Sequence, residues 1–194
     1  MVSRLIIGIS GASGVIYGIR ALQVLRDHQV ETHLVMTRAA EMTIGYETDL
    51  HPKQVKEWAD VVHGAQDIGA SIASGGFQTL GMLVAPCSIN SLSQIAYGAT
   101  GNLLSRAADV QMKERRKLVL LVRETPLHLG HLRAMTQATE AGAIIMPPVP
   151  AFYTKPNSIE EMVDATVARA LALFGIEVPS KRWGEEIIRG QNFA

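Results

Sequence analysis

RLIIGISGASGVIYG, residues 4–18, runs from an apolar stretch into small residues with three glycines at positions 8, 11 and 14, and then into a helical pattern. A short apolar strand feeding a glycine-rich turn and a helix is the opening unit of an α/β sheet. Glycines let backbone N–H groups approach anionic oxygens, and the following helix turns its positive end toward them. The spacing is not the G-x-G-x-x-G of a dinucleotide site, so the loop suits a phosphate without specifying which. Ser13 either adds a hydroxyl to a phosphate cradle or only caps the helix, and the loop alone leaves both readings open. The G-x-S-x-G of a nucleophile elbow is missing, because Val15 stands where the last glycine belongs.

Four more runs share the apolar character of the first: ETHLVM (31–36), LGMLVAP (80–86), KLVLLV (117–122) and AIIMPPV (143–149). Runs apolar throughout belong to strands buried on both faces, the habit of parallel sheets. Helical patterns lie between them at 14–28, 38–47, 52–60, 88–98, 102–116, 128–141 and 158–174. This alternation predicts an α/β fold, a three-layer doubly wound parallel sheet of Rossmann or flavodoxin type, with ligands outside the carboxyl ends of the strands. DIGASIASGGF, residues 67–77, reads as a loop. Residues 1–178 are expected to form one α/β domain, and residues 179–194, with Trp183, a C-terminal extension that docks on a neighbour or is partly disordered.

The chain has 194 residues, enough for one domain that buries roughly 70% of its unfolded surface. Eighteen basic residues balance eighteen acidic ones, so no global field draws nucleic acid or an anionic membrane. Charged residues make up 19% and hydrophobic ones 47% of the chain, which points to surface buried between subunits or to a very apolar sheet. The single cysteine, Cys87, excludes an internal disulfide and a cysteine-based zinc cluster, and a cytoplasmic location is the default. The five-residue LIIGI run is too short for a signal peptide or a membrane span.

The residues that follow the strands carry the polar chemistry. PCSINS places Ser88, Asn90 and Ser91 at a second helix start, suited to a polar ring or phosphate and equally to simple capping. Cys87, at the end of a buried strand with no base beside it, reads as a buried thiol rather than a nucleophile. RETP sets Arg123 beside Glu124, either an anion holder with a proton carrier or a solvated pair. Arg106 and Lys113, seven apart on one helix face, form a solvated stripe or an anion clamp. His128 and His131 form H-x-x-H without a third ligand at a telling spacing, so no metal site is expected. Tyr153 and Lys155 follow the last strand, where a phenol closes a pocket or packs as core.

Taken in order, GISGASGVIYG, YETD, APCS, RAADVQMKERRKLVLLVRETP, MPPVPAFYTKP and the C-terminal RWG resemble the flavin prenyltransferase (UbiX) family, formerly described as phenylacrylic- or hydroxyarylic-acid decarboxylases. The resemblance extends from residue 4 to about 185. It implies an FMN-binding, Rossmann-like subunit that assembles into a homododecamer and needs no metal. It further implies transfer of a dimethylallyl group from dimethylallyl phosphate to reduced FMN, giving the prenylated cofactor of a UbiD-type decarboxylase. Carried over by position, Gly11, Ala12, Ser13, Thr37, Ser88, Ile89, Asn90, Ser91 and Arg123 contact FMN. Tyr153 and Arg169 hold the prenyl phosphate, with Arg106, Lys113 and Glu47 nearby. Glu124 is the acid/base carboxylate, supported by Ser13, and Trp183 matches an aromatic that covers the site. The alternatives are an FMN-dependent decarboxylase of aromatic acids or of a peptidyl cysteine, and a flavin carrier without chemistry.

Overall fold

The computed structural model describes residues 2–180. Its centre is a six-stranded sheet of β1 (Ser3–Ile9), β2 (Val30–Met36), β3 (Val61–His63), β4 (Gly81–Cys87), β5 (Lys117–Val122) and β6 (Ile144–Ile145), in the order β3-β2-β1-β4-β5-β6. Every neighbouring pair is parallel. Among the described residues seven α-helices flank it: α1 (Ile16–Leu25), α2 (Arg38–Glu47), α3 (Pro52–Lys56), α4 (Ile89–Ala96), α5 (Leu103–Lys113), α6 (Leu129–Glu140) and α7 (Ile159–Ala172).

Alternation along β1 sorts the two cores. Leu5, Ile7 and Ile9 point to one face, where they meet Ile19 and Leu22 of α1, Ile44 of α2, Val55 of α3 and Val167 and Leu171 of α7. Ile6 points to the other, against Leu104 and Ala108 of α5, Leu92 and Ile95 of α4 and Ala134 of α6. The expected three-layer doubly wound sandwich is therefore the observed one. Leu5, Ile6, Ile7 and Ile9 are fully buried, and every residue of β4 and all of β5 but Lys117 are buried too, which explains why these runs carry no polar alternation. Gly8 leaves room for side chains of the adjoining strand and of α5: a Cβ there would lie 2.9 Å from Met82 Cε and 3.3 Å from Leu104 Cδ1.

Two strands depart from expectation. The edge strand β3 was not foreseen, because Val61–His63 is three residues long, half exposed and ends in histidine. AIIMPPV yields only Ile144 and Ile145 as strand, half-buried at the opposite edge rather than buried on both faces. Pro147 and Pro148 have no N–H to extend the ladder. The helix expected over 52–60 stops at Lys56, and that over 14–28 begins only at Ile16.

The chain moves outward from β1 to β2 and β3, then returns to lay β4 on the other side of β1 and continues outward to β5 and β6. The loops after β1 and β4 therefore leave in opposite directions. The crevice between them, at the carboxyl ends of the strands, is where ligands bind in such sheets.

Candidate active site

Ser10 ties the two walls of this crevice together. Fully buried, it donates from N–H to Pro86 O at 3.2 Å and from Oγ to the same oxygen at 2.9 Å, while its Oγ accepts the Ser88 N–H at 2.7 Å. Its hydroxyl is spent on structure, a role that the sequence reading did not assign. Beyond it the loop presses on α2: a Cβ on Gly11 would lie 2.3 Å from Ala39 Cβ. Gly14 takes φ +94°, a conformation that side chains rarely adopt.

Ser13 does not cap α1. The residue before the helix is Val15, without a side-chain cap, and Ser13 itself is exposed. The capping group comes from the far end of α2, where Glu47 Oε2 accepts the Gly14 N–H at 2.8 Å and the Val15 N–H at 3.2 Å. A carboxylate is favoured there by the positive end of the helix. Thr37 starts α2, its Oγ1 accepting the Ala40 N–H at 3.1 Å. Ser88 starts α4 in the same way, accepting the Ser91 N–H at 3.2 Å, and its hydroxyl donates to Ser91 Oγ at 3.2 Å. Capping is thus the work of Thr37 and Ser88, while the first-turn N–H groups of Ile89 and Asn90 have no partner among the described residues. Two open N–H donors at a helix start beside a glycine turn fit the phosphate of a mononucleotide.

Arg123 and Glu124 leave β5 at the same end. Arg123 N–H donates to Cys87 O at 3.0 Å, which holds this loop against that of β4, and both side chains are exposed. They do not pair with each other: Glu124 Oε1 instead accepts the Thr125 N–H at 3.0 Å. Tyr153 lies in the 3-10 turn Phe152–Thr154 after β6, 42% exposed.

The proposed phosphate cations are elsewhere in the same chain. Arg106 pairs with Asp109 at 2.8 Å on α5. Lys113 ends α5 beside Glu114, with which it pairs, and Gly75; this is the end of the sheet where β5 begins. Arg169 is in the last turn of α7, about 16 Å along the helix from its N-cap. The end of that helix is marked by the Lys117 ammonium on Leu173 O. Lys113 and Arg169 therefore do not join Arg123 and Glu124 around one cleft of one chain, because both helices run antiparallel to the strands. Helical spacing showed that Arg106 and Lys113 share a face, but not which end of the sheet each reaches.

Cys87 is a buried thiol, its pKa pushed up to about 12 by burial, and is no nucleophile. The His128 and His131 rings lie 3.5 Å apart between centroids, tilted by 32°, and His128 Nδ1 accepts the Gly130 N–H at the start of α6. Among the described residues no group of three or more His, Cys, Asp or Glu is placed to hold a metal. Trp183 lies outside the described residues.

A doubly wound sheet with a glycine turn, open N–H donors and no dinucleotide fingerprint suits a mononucleotide, and the family model described as Flavoprotein, which matches residues 2–171, makes the chain a flavoprotein. Within that class the chain belongs to the flavin prenyltransferase UbiX family. It is 61% identical over 184 residues to the flavin prenyltransferase UbiX of Escherichia coli K12, covering 93% of this chain and 97% of that one. Among solved structures it is similar to AnUbiX (PadA1) in complex with FMN and dimethylallyl pyrophosphate, with TM-score 0.93, 49% identity, and 94% and 98% of the two chains covered. It is also similar to a dodecameric FMN-dependent UbiX-like decarboxylase from Escherichia coli O157:H7, with TM-score 0.91, 45% identity, and 93% and 98% coverage.

Proposed function

We propose that this protein is a flavin prenyltransferase that moves a dimethylallyl group from dimethylallyl phosphate onto reduced FMN. The observation that carries the reading is the identity of 61% with the Escherichia coli flavin prenyltransferase over nearly the whole of both chains. The site is consistent with it. Bound reduced FMN supplies the nucleophilic ring atoms that accept the prenyl group. The chain supplies the N–H groups of Ile89 and Asn90, the Gly11–Ser13 turn, Thr37, the Ser88–Ser91 segment and Arg123 to bind and orient it.

The proposed carrier of the proton that a departing phosphate takes up is Glu124, which is exposed and has no ion pair with Arg123, its Oε1 accepting the Thr125 N–H. Cations around that phosphate stabilise the charge growing on its oxygens as the carbon–oxygen bond breaks. Arg106, Lys113, Arg169 and Tyr153 are the residues proposed for it. Since Lys113 and Arg169 stand away from the chain's own crevice, a neighbouring copy must bring them, which supports a closed homo-oligomer such as a dodecamer. Exposed Leu127, Leu129, Leu132 and Phe152, 43–69% accessible, supply apolar surface for such contacts. The neighbouring copy also keeps water from the allylic carbon.

The prenylated flavin is proposed to pass to a UbiD-type decarboxylase. Among the described residues no helix is long and apolar enough to cross a membrane, in keeping with the proposed cytoplasmic location.

Anaerobic protein given reduced FMN and dimethylallyl phosphate should yield a flavin heavier by one five-carbon unit in mass spectrometry. Unchanged flavin, with carbon dioxide released from an aromatic acid by the protein alone, would instead support the decarboxylase reading.

A further inference from the structure

Beside the β1/β4 crevice, at the carboxyl ends of β2 and β3, lies a second cavity of about 310 Å³. Three elements bring ionisable groups to it: Arg38 and Glu41 from α2, Lys56 from α3 and His63 from the end of β3. Met36 and Val62 give it an apolar floor. Lys56 and Glu41 pair across it at 2.6 Å. Arg38 has no ion-pair or hydrogen-bond partner among the described residues, so the lining holds one cation more than anions even with His63 neutral.

His63 is itself held from behind. Its Nε2 lies 2.9 Å from His33 Nδ1, and His33 Nε2 lies 2.7 Å from Glu31 Oε1, which also accepts from Arg4 Nε at 2.9 Å. One imidazole of this chain must donate and the other accept, so His63 is fixed in orientation by a nearly fully buried partner. A fixed ring, a guanidinium unpaired among the described residues and an ammonium paired with a surface carboxylate form a preorganised anion receptor over an apolar floor.

We propose that this cavity is a second anion site, taking a tetrahedral oxyanion of the phosphate type either free or as the head of a small phosphate ester. The proposal does not depend on the prenyl transfer. Arg38 supplies a planar two-pronged donor, Lys56 a point charge, and His63 a ring N–H. Around the His63 ring stand His33 from β2, Asp67 from its own loop, and Arg38, Glu41 and Lys56 from the helices lining the cavity. Burial first, and then His33, hold the His63 imidazolium below its ordinary range. An anion acts in the opposite sense, so binding strengthens as pH falls through the His63 titration.

The test uses FMN-loaded assembled protein, so that the crevice is already filled, and sulfate, whose charge is constant over about pH 5–8 where histidine titrates. Calorimetry and the His63 ring NMR signals should report one sulfate per chain. Arg38→Ala and Lys56→Gln should each weaken it by roughly fivefold or more, and Glu41→Gln should tighten it. Phenyl phosphate binding more tightly than inorganic phosphate assigns an ester; equal binding assigns the free ion. The proposal is overturned if wild-type protein shows neither heat nor a His63 shift, or if binding survives both Arg38→Ala and Lys56→Gln unchanged. It is equally overturned if binding is lost only in Arg169→Ala, which places the anion in the prenyl-phosphate site.

Discussion

Glu47 Oε2 accepts the Gly14 N–H at 2.8 Å, joining the end of α2 to the turn before α1 across 33 residues of sequence. The carboxylate takes the place at that helix start that a phosphate would otherwise find attractive. Glu47→Gln keeps an acceptor but removes the charge, so stability should fall by about 0.3–1 kcal/mol. Glu47→Ala leaves both N–H groups to water and should cost more, with the Gly11–Gly14 turn loosened and FMN affinity lowered. Urea midpoints and flavin-fluorescence titrations check the order. Equal stability of all three proteins would remove the contact from the account of the turn.

The Ser10 hydroxyl links the Ser88 N–H to the β1 strand end. Ser10→Ala leaves that N–H and Pro86 O without this partner, a loss of roughly 1–3 kcal/mol for buried polar groups. FMN retention should drop with it, since the two crevice walls are no longer tied. Chemical denaturation and the flavin content of purified protein are the measurements, and Ser10→Thr, which keeps the hydroxyl but adds a methyl in a filled space, should fall between.

Glu124→Gln should keep FMN and slow prenyl transfer, because the side chain is exposed and Gln keeps an acceptor for the Thr125 N–H while losing the titrating carboxyl. Single-turnover assays under anaerobic conditions, read by mass spectrometry, check this. Wild-type turnover in the variant would remove Glu124 from the proton path.

Much of this architecture was readable in the chain because burial on both faces leaves a simple mark: β1, β4 and β5 are uninterrupted apolar runs, and Thr37 and Ser88 announce the helices they cap. The edges were not readable. Val61–His63 is too short and too exposed to show a period, and Pro147 cuts AIIMPPV to two paired residues. At the site, Ser10 was hidden among the small residues of its turn because its partners lie 76 and 78 residues away. The Lys113 and Arg169 positions follow from helix direction, which residue spacing does not contain.

Acid should open the β2–β3 edge early. Asp60 is held below its ordinary range, first by the Thr32 N–H, and Glu31 likewise by His33 and Arg4. Their stabilisation is full above the unfolded pKa, about 4, and is lost as pH falls through the lower folded values. His63 is also depressed, chiefly by burial, so its contribution is present above about pH 6.5 and fades as pH falls through its folded pKa. Hydrogen exchange in residues 61–77 should therefore rise first as pH falls below about 6.5, with His63, and again below about 4, with Asp60 and Glu31, each time before that of β1 and β4. Asp60→Asn should flatten the rise below about pH 4 and leave that between about pH 6.5 and 4, and a uniform rise across the sheet would refute this order.

The separation of Glu124 from Lys113 and Arg169 within one chain leads to a complementation experiment. If one copy's crevice is completed by another copy's cations, Glu124→Gln and Arg169→Ala should each be impaired alone. In mixed oligomers, however, some sites pair an intact Glu124 crevice with an intact Arg169 from the neighbouring chain. Refolding or co-expressing the two variants together should then restore activity to about a quarter of wild type at equal mixing, as random pairing of two independent contributors gives. A double variant mixed equally with wild type sets the reference, since about a quarter of its sites keep both residues if two chains build the site and about half if one chain does. Activity of the mixed variants no higher than the average of the two alone would mean that both residues act within a single chain, and would overturn the intersubunit site.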